Sequence, residues 1–365
     1  MTPSRPGIVW YRDDLRVSDH PALQAASRSH ASVVCIYVLD DRAPGLRPLG
    51  GAARWWLAQS LRALQGSLQK RGASLVLRKG SAPEVLAALA RELDAGCVYW
   101  NEIAQSPHEA VANEVAAALG EIGVAAQRFP GDLLAAPSQI RNKENRGLRV
   151  FTPFWRACLA APVPQPPVAA PDNLPAPATW PASESLAEWD LLPTAPDWSG
   201  GLRAAFTPGE AAALECVEAF LDGAVHHYRS ARDQPGIAGT SRLSPHLHFG
   251  EISPRQVWHA VQASMAAGAA PEGEGAAFLR ELGWREFSAH LLFQWPDLPD
   301  ERLRRECADF PWAPEPALFT AWCGGRTGYP LIDAGMRELW STGWMHNRVR
   351  MIVACNIDKI IAPPR

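Results

Sequence analysis

Short apolar runs alternate with longer amphipathic stretches along the first 130 residues. Each run has the length and the β-branched and aromatic content of a buried strand, and polar or glycine-containing segments bound it. The five predicted strands are Ile8–Arg12, Ser32–Asp40, Ser74–Lys79, Cys97–Asn101 and Ala125–Phe129.

Helical periodicity fills the segments between these strands, at Gly51–Arg71, Ala82–Leu93 and Pro107–Leu119. Strict alternation of strand and helix predicts a parallel sheet with helices on both faces, so we expect an α/β, Rossmann-like domain over residues 1–131. Ligands of such sheets bind beyond the carboxyl ends of the strands. Polar candidates near those ends are Asp40, Asp41, Asn101, Glu102 and Asp132.

Proline interrupts the pattern over residues 160–200, which contain ten of the 33 prolines. Proline at this density blocks helix and sheet hydrogen bonding, so we interpret residues 132–200 as an interdomain linker. From residue 201 to 365 only helical patterns follow, which predicts an all-α domain. We expect Thr207–Glu210 to form a capping box, a second helix to begin at Ser253-Pro254, and a third to cover Phe278–Leu292.

Composition narrows the classes of protein. The formal net charge is −3, which excludes a generally basic nucleic-acid binder and leaves only a local patch. No apolar run is long and unbroken enough to span a bilayer, and the seven cysteines form no C-x-x-C pair. We therefore expect a cytoplasmic chain without a zinc site. The 15 Trp outnumber the 11 Phe and five Tyr, which suggests roles for indole in stacking or electron chemistry.

Four segments of the second half carry candidate chemistry, one of which contains Trp312, Trp322 and the glycine-rich run 324–330. Gly239–Ser244 offers hydroxyls and backbone N–H groups that suit phosphate oxygens, although a helix-capping turn would have the same sequence. Glu281, four residues before Arg285, would form a surface ion pair or, with Trp284, hold a flat heterocycle. In 344–351, Asn347, Arg348 and Arg350 could contact an amide-like edge and phosphates, while His346 is more simply structural.

Several longer motifs identify a family. GTSRLSPHLHFGEISPRQ, ELGWREF, GRTGYPLIDAGMREL and STGWMHNRVRM follow one another after VWYRDDLRVSDHPAL, GGAARWWLAQSL and RVFTPFWRAC. In this order they resemble the photolyase/cryptochrome family, and the Trp-Met-His-Asn string is similar to class I deoxyribodipyrimidine photolyases. The resemblance covers residues 7 to about 354.

The resemblance implies an FAD-binding helical domain, with FAD folded so that adenine and flavin lie close together. Excited reduced flavin would give an electron to a cyclobutane pyrimidine dimer in DNA, the dimer would split, and the electron would return. A DNA partner, a monomeric state and an absence of membrane contact are further expectations. An antenna chromophore, folate or deazaflavin, is also typical of the family; Asn101, Glu102 and Glu109 lie near a plausible site, and we leave this chromophore unassigned.

Site residues follow by match to the motifs. Glu281 and Asn347 would act at the reaction centre, with Trp312 as a relay for electrons. The lesion and its DNA would contact Arg232, Trp284, Arg285, Arg348 and Met351. The residues that would hold FAD are Tyr228, Thr240, Ser241, Arg242, Leu243, Ser244, Phe278, Glu281, Arg285, Asn347 and Arg350.

The sequence departs from the family pattern after Ala354. There the family continues with helices that bring paired Asp residues, the residue facing flavin N5 and two further relay Trp residues. We therefore expect an incomplete helical domain, and a frameshift or truncation near codon 355 would explain it. Two alternatives to repair follow: a cryptochrome-type blue-light photoreceptor, or an inactive remnant that holds no FAD.

Overall fold

A five-stranded parallel sheet forms the first half of the molecule. The computed structural model describes residues 5–104, 106–142, 144–301 and 315–361. The strand order is β3-β2-β1-β4-β5, and every pairing is parallel, as the alternating pattern predicts. The strands are β1 (Gly7–Tyr11), β2 (Val33–Leu39), β3 (Leu75–Lys79), β4 (Cys97–Asn101) and β5 (Ala125–Phe129).

Helices cover both faces of this sheet because successive strand residues point to opposite sides. Val9 and Cys35 pack with α1 (Pro21–Ser29) and α2 (Gly51–Gln69) in one core. Ile8 and Ile36 pack in a second core with α3 (Ala82–Glu92) and α4 (Ser106–Glu121). Much of the tryptophan excess is structural, since six indoles are buried: Trp10, Trp55, Trp56, Trp100, Trp189 and Trp258.

The second half is helical. A core of its own joins α7, α8, α10 and α11 around Phe220, Val257 and Leu279, and a smaller core joins α13 and α14 around Met336 and Val349. The helices are α6 (Gly200–Ala205), α7 (Glu210–Asp222), α8 (Tyr228–Ala231), α9 (Ser244–His248), α10 (Pro254–Ala266), α11 (Glu272–Gln294), α12 (Pro316–Cys323), α13 (Pro330–Thr342) and α14 (Asn347–Ile361), with a 3₁₀ turn at Ala224–His227.

The segment between the halves is anchored to both. Helix α5 (Phe151–Ala160) packs against α11, with Phe151 and Phe154 on Phe287. The proline-rich stretch then runs along the α/β domain. Its backbone pairs with that domain where Leu174 N–H donates to the Arg71 carbonyl, and a short 3₁₀ turn follows at Leu186–Trp189.

One predicted cap is wrong. Helix α7 begins at Glu210, with Gly209 as its N-cap residue and no side-chain capping bond, so Thr207 does not cap it. The Glu210 carboxylate instead accepts the backbone N–H groups of Val17 and Ser18 in the α/β domain. An interdomain bond thus takes the place of the local one. The capping box at Ser253, by contrast, is present in α10.

Two buried contacts fix the domains against each other. The Arg16 guanidinium donates to the carbonyls of Gly250 and Asp19, and Trp56 Nε1 donates to Glu251 at 3.0 Å. Gly250 has a φ of +63°, and an added Cβ would meet the Asp13 carbonyl. The loop that follows β1 is therefore pressed against the turn that follows α9.

Candidate FAD and DNA-lesion site

A cavity of about 540 Å³ opens in the helical half, a volume typical of cofactor pockets. Helices α8, α9, α11 and α14 surround it, and Asp13, Ile103 and Asp132 close it from the α/β side. Its lining contains all eleven residues that the family motifs assign to FAD: Tyr228, Thr240, Ser241, Arg242, Leu243, Ser244, Phe278, Glu281, Arg285, Asn347 and Arg350.

The turn before α9 supplies one wall. Arg242 has a φ of +54°, a left-handed conformation that is uncommon for a residue with a side chain. Its guanidinium lies between two rings, 4.7 Å from the centroid of Phe206 and 5.0 Å from that of Trp344. Gly239 lets the turn approach α8, because an added Cβ would lie 2.7 Å from the backbone of Ala231.

The hydroxyls of this turn do not cap α9. The N-cap residue is Leu243, and no side chain makes a capping bond there. Thr240, Ser241 and Ser244 line the cavity instead. The sequence left two roles open for these hydroxyls, helix capping and phosphate binding. The prediction of helix capping is wrong.

One face of α11 forms the opposite wall. Glu281 and Arg285 both line the cavity, yet they do not form the ion pair that their spacing of four suggests. Glu281 pairs with Arg232 of the α8 end, and Arg285 donates to the backbone carbonyl of Asp132. Both side chains therefore bind residues that are distant in sequence instead of each other. Burial acts to lower the pKa of Arg232, but the hydrogen bond to Glu281 and the charges of Glu281 and Asp233 together outweigh burial, and the pKa is raised.

A buried carboxyl joins α11 to the segment 132–135. Glu286 accepts the backbone N–H groups of Leu134 and Ala135, which places Leu133 in the cavity wall. Burial raises the pKa of Glu286 to about 8, although Arg285 opposes the shift. The sequence did not predict a role for Glu286, although the residue belongs to the ELGWREF motif. Only Glu281, Trp284 and Arg285 of that motif were assigned to the site.

Of the residues that were predicted to contact DNA, only Arg232 and Arg285 line the cavity. Arg348 donates through Nε to Asp233 at 2.8 Å. Trp284 stacks on Phe151 with centroids 3.7 Å apart and planes 6° apart, and 43% of it is exposed. Trp284, Arg348 and Met351 are not lining residues. The predicted relay Trp312 lies outside the described residues.

A second cavity of about 420 Å³ lies at the carboxyl ends of β1 and β2. Asp40 and Asp41 line it, as strand ends predict, together with Trp10 and Tyr37. Glu102 and Glu109 do not, and neither does Asn101, whose carboxamide binds Asp14 and the backbone of Ala22. Three residues line both cavities and separate them: Asp13, His248 and Leu292.

The described residues contain neither a membrane-spanning helix nor a metal-binding cluster. None of these helices is long and apolar enough to cross a membrane. Within the same part of the chain, no group of His, Cys, Asp and Glu is arranged to hold a metal ion.

Each half of the chain matches a known protein family model. Residues 7–172 match the DNA photolyase family model, and residues 278–361 match the FAD binding domain of DNA photolyase. A deoxyribodipyrimidine photo-lyase of Agrobacterium fabrum is 44% identical over 97% of this chain and 73% of its own length. Cryptochrome-1 of Arabidopsis thaliana is 35% identical over 98% of this chain and 53% of its own length.

Solved structures agree. A class III photolyase from Agrobacterium tumefaciens superposes with a TM-score of 0.95 at 42% identity, over 100% of this chain and 74% of that one. An archaeal photolyase from Sulfolobus tokodaii, solved with two FAD molecules, gives 0.79 at 27% identity, over 97% and 75%. Because the first of these is a class III enzyme, the class I expectation stays a prediction. The cavity, the matched FAD-binding domain and these relatives together show that the chain belongs to the DNA photolyase/cryptochrome family.

Proposed function

We propose that this protein uses light to split cyclobutane pyrimidine dimers in DNA, with reduced FAD as electron donor. The observation that supports this most is the convergence of the eleven matched residues on one cavity, with arginines in its lining and the exposed indole of Trp284 next in sequence to the lining residue Arg285. FAD, when bound and reduced, supplies the light-driven electron. The protein's own residues hold the cofactor and the lesion.

The donors of the cavity fit FAD. Three hydroxyls and two guanidiniums, on Thr240, Ser241, Ser244, Arg242 and Arg350, line it and suit the oxygens of a diphosphate. The aromatic side chains of Tyr228 and Phe278 pack edge to face with centroids 5.4 Å apart and offer apolar surface to a ring. Asn347 brings a carboxamide that both donates and accepts, which suits the polar edge of a flavin.

The surroundings of the cavity suit an extruded pyrimidine dimer. A dimer stacks poorly, so flipping it out of the duplex costs only a few kcal/mol. Trp284 lies one residue from Arg285 and is held rigid by Phe151, so its exposed surface can stack on the flipped dimer. The Glu281 carboxylate, held by Arg232, is an acceptor for the imide N–H of thymine.

The test is repair itself. Purified holoprotein, with its flavin reduced, is mixed with an oligonucleotide that carries one thymine dimer and exposed to blue light. We expect light-dependent loss of dimers. Dimer binding and FAD content with no repair would favour the photoreceptor. A colourless protein that releases no flavin on denaturation would contradict both and favour the inactive remnant.

A variant makes the assay specific. Trp284→Ala should weaken binding of dimer DNA by about tenfold relative to undamaged DNA while FAD content is unchanged, because stacking on a base contributes about 1–3 kcal/mol. The matched control is Trp340→Ala, which removes a fully exposed indole of α13. Equal losses in both variants would contradict the proposed role of Trp284.

We further propose that the cavity at the sheet edge holds a second, light-absorbing chromophore. The aromatic surfaces of Trp10 and Tyr37 favour a flat ring, and the wall shared with the first cavity would place the two chromophores close together. Folate, deazaflavin and flavin all have this shape. Mass spectrometry of the material released on denaturation would identify it, and release of a single equivalent of FAD alone would contradict the proposal.

A further inference from the structure

Four side chains of alternating charge lie in a row that begins in the wall of the FAD cavity: Glu281 and Arg232 line the cavity, and Asp233 and Arg348 continue the row from Arg232. Arg232 Nη1 donates to Glu281, and Arg232 Nε lies 3.4 Å from Asp233 Oδ1. Arg348 Nε donates to that same oxygen at 2.8 Å. Two guanidiniums therefore meet on one carboxylate oxygen. The formal charges of Glu281, Arg232, Asp233 and Arg348 sum to zero.

The members of this row differ in how firmly they are held. Arg232 is 17% exposed and is also held by Glu281 and by the ring of Tyr228, 5.4 Å from its guanidinium carbon. Asp233 is 48% exposed and Arg348 39%. The bond from Arg348 lowers the pKa of Asp233, so this carboxylate is charged at neutral pH. Asp233 is thus the member that an incoming anion can displace.

A phosphodiester group can replace this carboxylate. Both carry one negative charge, and both accept charge-assisted hydrogen bonds from guanidinium. Without an anion between them, Arg232 and Arg348 would repel each other. In the free protein the Asp233 side chain supplies that anion, and it does so at the point where DNA would enter the site.

We propose that Asp233 is an internal counter-ion that occupies the place of one DNA backbone phosphate and leaves it when DNA binds. The proposal rests on the proposed function, because it takes DNA as the substrate. Phosphate contacts carry no sequence information. Displacement of Asp233 therefore lowers the affinity for every DNA by the same factor, and discrimination of the lesion is left to Trp284 and Glu281.

The test compares wild type and Asp233→Asn as FAD-bound full-length protein. Fluorescence anisotropy gives the affinity for a dimer-containing and for an undamaged oligonucleotide between 50 and 200 mM salt, roughly the range over which phosphate contacts change affinity most visibly. We expect Asp233→Asn to bind both DNAs about three- to tenfold more tightly, as loss of two exposed ion pairs predicts. The ratio of the two affinities should stay constant. The slope of log K against log salt should become steeper by about 0.9.

Two controls separate displacement from a general charge effect. Asp222→Asn removes the same charge from the exposed end of α7, where the described residues give Asp222 no ion pair; we expect less than about a twofold gain. In an Arg348→Gln background, the gain from Asp233→Asn should fall by at least half, because one of its two partners is gone.

The outcomes are distinct. Unchanged or weaker binding by Asp233→Asn, an equal gain in Asp222→Asn, or a gain that survives Arg348→Gln in full would each overturn the role of Asp233. Wild-type holoprotein that binds neither DNA would overturn the proposed function instead.

Discussion

The two cavities share a wall and differ in chemistry. The helical cavity presents hydroxyls, guanidiniums and a carboxamide, on Thr240, Ser241, Arg242, Arg350 and Asn347. Among the described residues that line the sheet-edge cavity there is no Ser, Thr or Asn, and its charged side chains are Arg12, Asp13, Asp40, Asp41, Arg47 and Arg54. Its hydrophobic lining includes Trp10, Val38, Leu39, Ala43, Leu46, Leu49, Val111 and Phe249.

This difference separates two ways of holding a ligand. A cavity rich in donors must be filled by a group that accepts them, because buried polar groups without partners are costly. A cavity in which aromatic and aliphatic surfaces lie among a few charged side chains selects a flat shape and sets its orientation through those charges. The proposed second chromophore would thus lie beside the site for an anionic, extended cofactor, with Asp13, His248 and Leu292 between them.

The largest effect is expected from Arg242→Ala. The variant removes the guanidinium that lies near the rings of Phe206 and Trp344, and with it the charge-assisted bonds that we propose it makes to the cofactor, worth about 1.5–3 kcal/mol. FAD per mole of purified protein, read from the visible spectrum, should fall about tenfold or more, with the second chromophore retained. The control Arg203→Ala removes a surface arginine paired with Asp197 and should keep its FAD. Equal losses of FAD in Arg242→Ala and Arg203→Ala would contradict the proposed role of the helical cavity in holding FAD.

The reciprocal change is Ala43→Phe. Ala43 is buried in the wall of the sheet-edge cavity, so a phenyl ring fills space that the second chromophore would need. We expect loss of that chromophore with FAD content unchanged, and a lower unfolding free energy by about 1–3 kcal/mol from overpacking. Loss of FAD as well would show that the two sites do not act separately.

A smaller effect concerns pH. Because burial raises the pKa of Glu286 to about 8, the folded protein binds a proton that the unfolded chain releases above its ordinary pKa of 4.5. This group therefore lowers stability as pH rises from about 4.5 to about 8. Glu286→Gln keeps an oxygen for Leu134 and Ala135 but cannot ionise, so its Tm relative to wild type should rise by several degrees between pH 5 and pH 9.

The control for this pH series is Glu218→Gln, on the exposed side of α7. Its Tm should follow the wild type across the same range. A constant difference in Tm between Glu286→Gln and wild type would contradict the assignment of this proton to Glu286.

The smallest effect is expected from Glu109→Gln. This exposed residue of α4 lines neither cavity, although it lies near the site first considered for the antenna chromophore. Content of both chromophores should be unchanged, and the unfolding free energy should stay within about 0.5 kcal/mol. Loss of the second chromophore would place its site away from the cavity at β1 and β2.

The chain pattern predicted most of the fold, and the resemblance to the family named the residues that line most of the FAD cavity. The apolar runs located all five strands, and the motifs named the residues of the turn 240–244 and of α11 that line one cavity. Both features are local: strand and helix periods are read over a few residues, and the turn is contiguous. Neighbours in sequence remain neighbours in space there.

Contacts between residues that are distant in sequence could not be predicted from periodicity or from contiguous motifs. The spacing of Glu281 and Arg285 indicated a helical ion pair, yet Glu281 binds Arg232, 49 residues away. Glu210 was expected to cap α7 and reaches the α/β domain instead. A local ion pair on a helix surface contributes only about 0.3–0.5 kcal/mol. A charged side chain therefore binds a more distant residue when packing places a better partner within reach.

The sequence by itself determined the order of strands and helices along the chain and the change from α/β to all-α, because these depend on short-range periodicity. Its motifs, by resemblance to the family, also named eleven side chains that line the FAD cavity. Only the tertiary structure decided that the carboxyl ends of β1 and β2 enclose a second cavity, that Asn101 is occupied by Asp14, and that Asp233 joins Arg232 to Arg348 across 115 residues. These contacts depend on how the two halves pack, and no local pattern encodes the distance between residues that packing brings together.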